Sequence, residues 1–169
     1  MSTEMIRKFF STNRYFNWID VTGGEIFLRN DLIEIFKIIK ETQKNIYFIH
    51  FPTNGILTEK IVAEVKNIIE LNFPKFIVSI SLDGLPKTND RLRGVKGDWG
   101  LAVRTYKELR KLRSKRFDCY LGMTLSLENC GETEELYELL KQEIPGFERR
   151  DLHFNIAHES EHYYRNVNL

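Results

Sequence analysis

Polar side chains occupy one face of an apolar, alternating segment in the middle of the chain. Over residues 76–83 the apolar residues alternate with a second set that ends in two hydroxyls and a carboxylate, on Ser79, Ser81 and Asp83. Period-two alternation over eight residues predicts a strand. Strands buried on both faces of a parallel sheet are usually unbroken apolar runs. The polar set therefore indicates that one face of this strand lines a cavity and offers hydrogen bonds to a ligand.

Polar residues and glycines also stand near the ends of the other predicted strands. Gly23, Gly24 and Glu25 end the first strand. Two successive glycines permit a tight turn with positive φ and close backbone approach to a ligand, although a plain strand-to-helix turn explains this pair better when it is taken alone. Ligands of α/β sheets and barrels bind at the carboxyl ends of the strands. The candidate site therefore comprises Gly23, Gly24, Glu25, Thr53, Asn54, Ser79, Ser81, Asp83, Thr124, Ser126 and Asn155.

The positioning elements follow from hydrophobic periodicity and from capping residues. Strands are predicted over residues 16–22, 45–51, 76–83, 119–126 and 152–157, with Pro52 stopping the second and a polar loop over residues 90–94 after the third. A helix precedes the first strand, with Met5, Ile6, Phe9 and Phe10 on its inner side, and a helix separates each pair of strands. Strands joined by helices imply a parallel sheet with right-handed crossovers.

Composition restricts the classes of function. The 169 residues carry 25 basic and 24 acidic side chains, so the net charge of +1 gives no electrostatic footprint for nucleic acid or an anionic membrane. A basic helix predicted over residues 99–114 is better explained as a solvated face than as a phosphate site. No apolar run reaches the roughly 20 residues of a membrane span, and residues 1–10 lack the apolar core of a signal peptide. The sequence therefore predicts a cytoplasmic protein. Its two cysteines are too few for a disulfide framework.

Three motifs in order resemble those of radical S-adenosylmethionine (radical SAM) enzymes. Residues 21–25, Val-Thr-Gly-Gly-Glu, look like the second-strand GGE motif of that family, and residues 53–55, Thr-Asn-Gly, look like the end of its third strand. Residues 79–84, Ser-Ile-Ser-Leu-Asp-Gly, with Arg93 and Gly94 after them, are similar to the fourth strand and loop of the peptide-modifying and sulfatase-maturating branch. The resemblance implies a partial, open parallel α/β barrel of about five strands with helices outside, a single domain over residues 1–157, and a polar tail over residues 158–169.

The resemblance also implies roles for individual residues. Gly23, Gly24 and Glu25 would receive the amino group of S-adenosylmethionine (SAM), while Ser81 and Asp83 would lie near its ribose and carboxylate. Ser79 belongs to the same set of expected cofactor-binding residues. Arg93 would neutralise that carboxylate, and Asn54 and Ser126 would line the cavity. An intact relative would cleave SAM reductively to a 5′-deoxyadenosyl radical and abstract a hydrogen from its substrate, in this branch a peptide.

The sequence departs from the family pattern at the iron–sulfur cluster. The family binds a four-iron, four-sulfur cluster with three cysteines spaced CxxxCxxC, and such ligation needs thiolates. Cys119 and Cys130 are eleven residues apart and fit a core thiol and a loop thiol. A smaller departure is Ile26, where the family usually has proline. We therefore expect a truncated or cluster-less core whose open sheet edge pairs with itself or with a partner chain.

Two other hypotheses remain open at this point. The first is a non-catalytic nucleotide- or metabolite-binding module, or a split-protein partner, on the same half barrel. The second concerns residues 158–162, His-Glu-Ser-Glu-His, which fit the H-E-x-x-H signature of zinc proteases. That motif needs a helix and a third ligand, whereas here it follows a predicted strand. A solvated tail is the better interpretation.

Overall fold

A computed structural model describes residues 1–157 of the chain. The strands are β1 (Trp18–Asp20), β2 (Phe48–Thr53), β3 (Phe76–Ser81), β4 (Phe117–Leu125) and β5 (Leu152–Ile156). The helices are α1 (Thr3–Thr12), α2 (Leu32–Thr42), α3 (Thr58–Glu70), α4 (Pro86–Arg93), α5 (Asp98–Arg110) and α6 (Thr133–Glu143). Short 3-10 turns cover Ile26–Leu28, Cys130–Glu132 and Arg149–Asp151.

The five strands form one parallel sheet in the order β1-β2-β3-β4-β5, which curls into an open half barrel with helices outside. Alternation assigns each strand two faces. On the helix side the side chains of Phe51, Val78, Ile80, Leu121 and Met123 are completely buried. The residues between them face the inner, concave side, where polar side chains predominate. The predicted α/β open barrel is therefore confirmed, and its inner face is available to a ligand.

The prediction of a polar loop over residues 90–94 was wrong, because residues 90–93 belong to helix α4. Its sequence has no apolar stripe, so hydrophobic periodicity could not reveal it. Polar side chains stabilise it instead. Asn89 is fully buried, its amide oxygen accepts the Asp83 N–H, and its amide nitrogen donates to Asp98. Pro86 starts the helix and Gly94 ends it in a left-handed conformation.

Two smaller expectations were also wrong. Strand β2 continues through Pro52 to Thr53 instead of stopping at the proline. On helix α1, Ile6 packs inward, but the side chains of Met5 and Phe9 are 60% and 49% exposed. Arg7 forms exposed ion pairs with Glu34 and Glu41 of α2, and the helix begins at Ser2, whose hydroxyl accepts a backbone N–H.

Three features bear on the wider predictions. Within residues 1–157 no helix is both long and apolar enough to cross a membrane. In the same region β1 pairs with β2 on one side only, so its other edge is open. The H-E-x-x-H sequence at residues 158–162 lies outside the described residues.

Candidate ligand site at the carboxyl edge of the sheet

The Glu25 carboxylate joins the end of β1 to the end of β2. One of its oxygens accepts the Phe27 N–H at 3.1 Å, and the other accepts the Asn54 N–H at 2.7 Å. The Thr53 hydroxyl lies 3.0 Å from both oxygens. Four contacts hold the carboxylate in one position, so Glu25 places a fixed negative charge beside the Gly23–Gly24 segment.

A cavity of about 320 Å³ opens above these contacts. Its lining consists of the residues that end β1, β2 and β3, together with one arginine from α4: Gly23, Gly24, Glu25, Pro52, Thr53, Asn54, Ser81 and Arg93. The lining includes the Glu25 carboxylate, the Arg93 guanidinium and the Gly23–Gly24 backbone. This arrangement can bind a zwitterion, because it offers acceptors to an ammonium and a donor to a carboxylate.

The two glycines of this cavity do not have the conformation that their sequence suggests. Neither Gly23 nor Gly24 has a positive φ, so the expected left-handed turn is absent at this position. A Cβ atom at either residue would meet no protein atom within 4 Å. The missing side chains therefore leave space open on the cavity side rather than satisfying a backbone requirement.

Asp83 and Arg93 form the wall between this cavity and a second one. The Arg93 Nε lies 3.1 Å from an Asp83 carboxylate oxygen, in ion-pair contact but without hydrogen-bond alignment. The other Asp83 oxygen accepts the Thr124 N–H at 2.8 Å. Asn129, which is buried, donates to the backbone carbonyls of Asp83 and Thr124. These bonds tie the loop after β3 to the end of β4 and position the Asp83 carboxylate.

The second cavity, of about 780 Å³, lies beyond that wall at the ends of β4 and β5. Its lining is largely apolar, with a few polar groups among the aliphatic side chains: Asp83, Leu92, Thr124, Leu125, Ser126, Leu127, Glu128, Asn129, Cys130, Ile156 and Ala157. A flat, mostly apolar ligand with a few hydrogen-bonding atoms suits such a lining.

The structure brings most of the predicted site residues together at one edge of the sheet. Gly23, Gly24, Glu25, Thr53, Asn54, Ser81 and Arg93 line the smaller cavity, and Asp83, Thr124 and Ser126 line the larger one. Ser79 and Asn155 line neither. Ser79 lies deeper on the inner face, with its hydroxyl 2.9 Å from His50 Nε2.

Sequence reasoning missed the partners of Ser79. His50 also contacts Asp20 and Tyr120, and the Tyr120 ring stacks on His153. The signal was present, since all four occupy inner-face positions of the alternating pattern. The contact itself depends on the register that pairs Asp20 with His50 across β1 and β2, which alternation within one strand does not reveal.

The two cysteines do not fit an iron–sulfur cluster. Cys119 is buried on the helix side of β4, and burial raises the pKa of its thiol to about 12. Cys130 is exposed in the turn after that strand. Within residues 1–157 no group of three His, Cys, Asp or Glu side chains could hold a metal ion. The described residues therefore supply no ligand set for the cluster.

Comparisons with curated proteins show partial similarity to three larger enzymes. The chain is 29% identical over 122 residues to Fe-coproporphyrin III synthase from Methanosarcina barkeri, which is 72% of this chain and 28% of that protein. It is 30% identical over 123 residues to pre-heme d1 synthase from Dinoroseobacter shibae, again over 28% of that protein. A probable GTP 3′,8-cyclase from Methanococcus aeolicus is 43% identical over 65 residues, or 38% of this chain and 21% of that protein. The matches therefore span less than a third of each relative.

Solved structures support the fold. The structure described as native anSMEcpe with bound AdoMet superposes with a TM-score of 0.64 over 97% of this chain and 46% of that one, at 17% identity. A second structure of that protein, with AdoMet and a Kp18Cys peptide, gives the same TM-score over 99% of this chain and 46% of its own. The family model described as the Radical SAM superfamily matches residues 2–140. This chain belongs to the radical SAM superfamily.

Proposed function

We propose that this chain is the SAM-binding core of a radical SAM enzyme. The observation that carries the proposal is the convergence of the Gly23–Glu25 segment, Asn54, Ser81 and Arg93 on one polar cavity at the carboxyl edge of the sheet. SAM is a zwitterion at its methionine end. Its ammonium requires acceptors, which Glu25 and the glycine carbonyls offer, and its carboxylate requires a cation such as Arg93.

The polarity of the two cavities matches the two ends of SAM. The adenine ring is flat and largely apolar on its faces, and the larger cavity offers Leu92, Leu125 and Ile156 to it. The ribose between them would lie at the Asp83–Arg93 wall, where Ser81 and Asp83 supply a hydroxyl and a carboxylate. These residues bind and orient SAM. The cluster-bound cofactor, where a cluster is present, supplies reductive cleavage and hydrogen abstraction.

We infer a peptide as the substrate class. Residues 79–84 resemble the peptide-modifying branch, and one of the anSMEcpe structures that superpose on this chain is described with AdoMet and a Kp18Cys peptide. A porphyrin-type substrate is the second candidate, because two relatives of higher identity are Fe-coproporphyrin III synthase and pre-heme d1 synthase. The open inner face admits either class.

NMR titration of the chain with millimolar SAM and with millimolar 5′-methylthioadenosine tests this proposal. The second ligand keeps the adenosine but lacks the ammonium and the carboxylate. We expect both to bind weakly. By the resemblance, the cluster iron of a complete enzyme would chelate the amino and carboxylate groups of SAM. Without these two charge-assisted contacts, of about 1.5–3 kcal/mol each, SAM should bind at least about a hundredfold more weakly than in such an enzyme. Arg93→Ala should weaken SAM binding by about tenfold or more and leave 5′-methylthioadenosine unaffected.

Arg104→Ala is the matched control, since Arg104 also ion-pairs with a carboxylate, that of Glu59, but lies on the outer face of α5. It should change neither affinity. Equal weakening of both ligands by Arg93→Ala would show that Arg93 acts through the fold. Submicromolar binding of SAM to the chain alone would contradict the role given to the missing iron.

A further inference from the structure

A continuous polar row crosses all five strands on the inner face of the half barrel. It contains one side chain from each strand in turn: Asp20, His50, Ser79, Tyr120 and His153. Neighbouring members touch, with Asp20 Oδ1 2.7 Å from His50 Nδ1, and His50 Nε2 2.9 Å from Ser79 Oγ and 3.2 Å from the Tyr120 hydroxyl. The Tyr120 and His153 rings stack with centroids 3.8 Å apart.

The contact with Asp20 determines which nitrogen of His50 carries the proton. An ionised carboxylate only accepts hydrogen bonds, so Nδ1 must be the protonated nitrogen. In the neutral ring Nε2 is then bare, and it faces two hydroxyls. His50 is therefore set to take a proton from the Ser79 or Tyr120 oxygen and to return it, with Asp20 beside the charged ring.

Both ends of the row are exposed to solvent, whereas its middle is buried. The Asp20 side chain is 50% exposed and His153 is exposed, but Ser79 is only 9% exposed. Burial raises the pKa of Tyr120, so its phenol keeps its proton at neutral pH. Gly122, which pairs with His153 in the sheet, has no side chain to separate His153 from Tyr120. The row thus leads from solvent at β1 to protonated hydroxyls in the middle of the inner face.

The row lies directly below the proposed SAM cavity. Ser79 and Ser81 share the inner face of β3 and are two residues apart, which corresponds to about 7 Å along a strand. Pro52, which lines the cavity, stands in the same relation to His50. A substrate placed on the inner face next to that cavity would contact the Ser79 and Tyr120 hydroxyls.

We propose that this row is an acid–base relay for the substrate, an inference that rests on the proposed function. The substrate class is one with an ionisable O–H or N–H group at the inner face. Its proton passes to the Tyr120 or Ser79 oxygen as that hydroxyl's own proton passes to His50 Nε2. The imidazolium is balanced by Asp20, and His50 gives the proton up again from Nε2, which restores the Nδ1–H ring. The reverse sequence delivers a proton, and no electron is transferred in either direction.

Nitrogen NMR of the 169-residue chain, labelled at histidine, tests the relay without SAM or a cluster. His50 should be the Nδ1–H tautomer in its neutral form. His153 is an internal control, because its Nε2 lies 3.0 Å from the Arg150 carbonyl oxygen and must carry the proton. Asp20→Asn should abolish the tautomer preference of His50. Ser79→Ala and Tyr120→Phe should each shift the Nε2 resonance, whereas Ser81→Ala, on the same face but outside the row, should not.

Proton exchange separates a relay from a merely structural network. If protons pass along the row, Asp20→Asn should slow the exchange of the Tyr120 hydroxyl proton with water severalfold. If the row is only a structural network, Asp20→Asn should instead speed this exchange, because a broken network exposes the Tyr120 hydroxyl to water more often. An Nε2–H tautomer at His50, or faster exchange in Asp20→Asn, would overturn the proposal. These results do not depend on whether SAM binds, so this failure is distinct from failure of the proposed function.

Discussion

Glycine has two opposite roles at the ligand edge of this sheet. At Gly55, just after β2, φ is +79° and a Cβ atom would lie 2.8 Å from Ile80 Cγ2 and 2.9 Å from the Ala102 Cα. At Gly24, on the cavity side, a Cβ atom would meet no protein atom within 4 Å. The first glycine is therefore required by the backbone and its packing, whereas the second keeps space free for a ligand.

The same substitution at both glycines should give opposite results. Gly55→Ala should lower the free energy of unfolding by about 2–4 kcal/mol, from the left-handed backbone and from overpacking against α5. Gly24→Ala should change it by less than about 0.5 kcal/mol and instead weaken SAM binding. Urea denaturation measures the first effect, and NMR titration the second. Equal stability losses in the two variants would refute the distinction.

Residue roles were predictable from the sequence where a polar residue follows an apolar run, and much less so where the role depends on a partner on a neighbouring strand. The GGE segment, Asn54 and Ser81 were found because polar residues follow apolar runs. Ser79 was grouped with them, but its contact with His50 depends on the lateral register of β2 and β3, which alternation does not reveal. The hydrogen bond from the Asn54 N–H to the Glu25 carboxylate likewise joins two loops that are distant in the sequence, so the sequence pattern does not reveal it.

At the scale of elements, helices and strands were predictable when an apolar stripe specified them. Strands β2, β3 and β4 and helices α2, α3, α5 and α6 bury apolar residues at regular spacing, and all were expected. Helix α4 was missed because it is held by the buried Asn89 and by Asp90, whose carboxylate accepts the Gly97 and Trp99 N–H groups. Such contacts form only after the loops meet, so local periodicity contains no sign of them.

One ion pair links the last two strands, and it should make stability depend on pH. Arg113, after α5, donates to Asp151, just before β5, at 2.7 Å, and the Asp151 side chain is 3% exposed. Burial raises the pKa of Asp151, but hydrogen bonds from the Glu148 N–H and from Arg113 outweigh it and hold the pKa below its usual value. A lowered folded-state pKa means that this stabilisation is present above the unfolded pKa of about 3.9 and is lost as pH falls through the folded value.

Asp151→Asn should therefore lower the free energy of unfolding by about 1.5–3 kcal/mol at neutral pH and flatten its decline below about pH 5. Chemical denaturation over the acid range measures both effects. Glu134→Gln is the control, since Glu134 pairs with Arg149 on the surface with both side chains mostly exposed. Its effect should stay below about 1 kcal/mol and vanish in high salt. An unchanged acid slope in Asp151→Asn would contradict this account.

At the scale of the whole molecule, the half barrel is open on two sides. The chain spans 28% of each of two curated relatives and 46% of the solved structures it resembles. Within the described residues the outer edge of β1 is unpaired, and Trp18 and Phe9 are exposed near it. Self-association or pairing with a partner chain at this edge stays a prediction from the behaviour of uncovered strands.

The cluster chemistry of the family should be separable from the fold of this chain. We expect that the 169-residue polypeptide does not retain a four-iron cluster after anaerobic reconstitution with iron and sulfide. Cys119 faces the core near the start of β4 and Cys130 follows its end, so a strand rise of about 3.3 Å per residue places the sulfurs about 20 Å apart. Two thiols at that separation cannot bind adjacent irons of one cluster.

Iron and sulfide analysis with the visible absorption spectrum measures this outcome, beside SAM binding by the same sample. The ligand site is built from Glu25, Asn54, Ser81 and Arg93, none of which depends on a thiol, so weak SAM binding should persist in a Cys119→Ala, Cys130→Ala double variant. Iron retained nonspecifically would survive that double substitution. A stoichiometric brown cluster that disappears in Cys119→Ala alone would instead show that the buried thiol is a cluster ligand. The inference that cluster binding is separable from the fold of this chain would then be wrong.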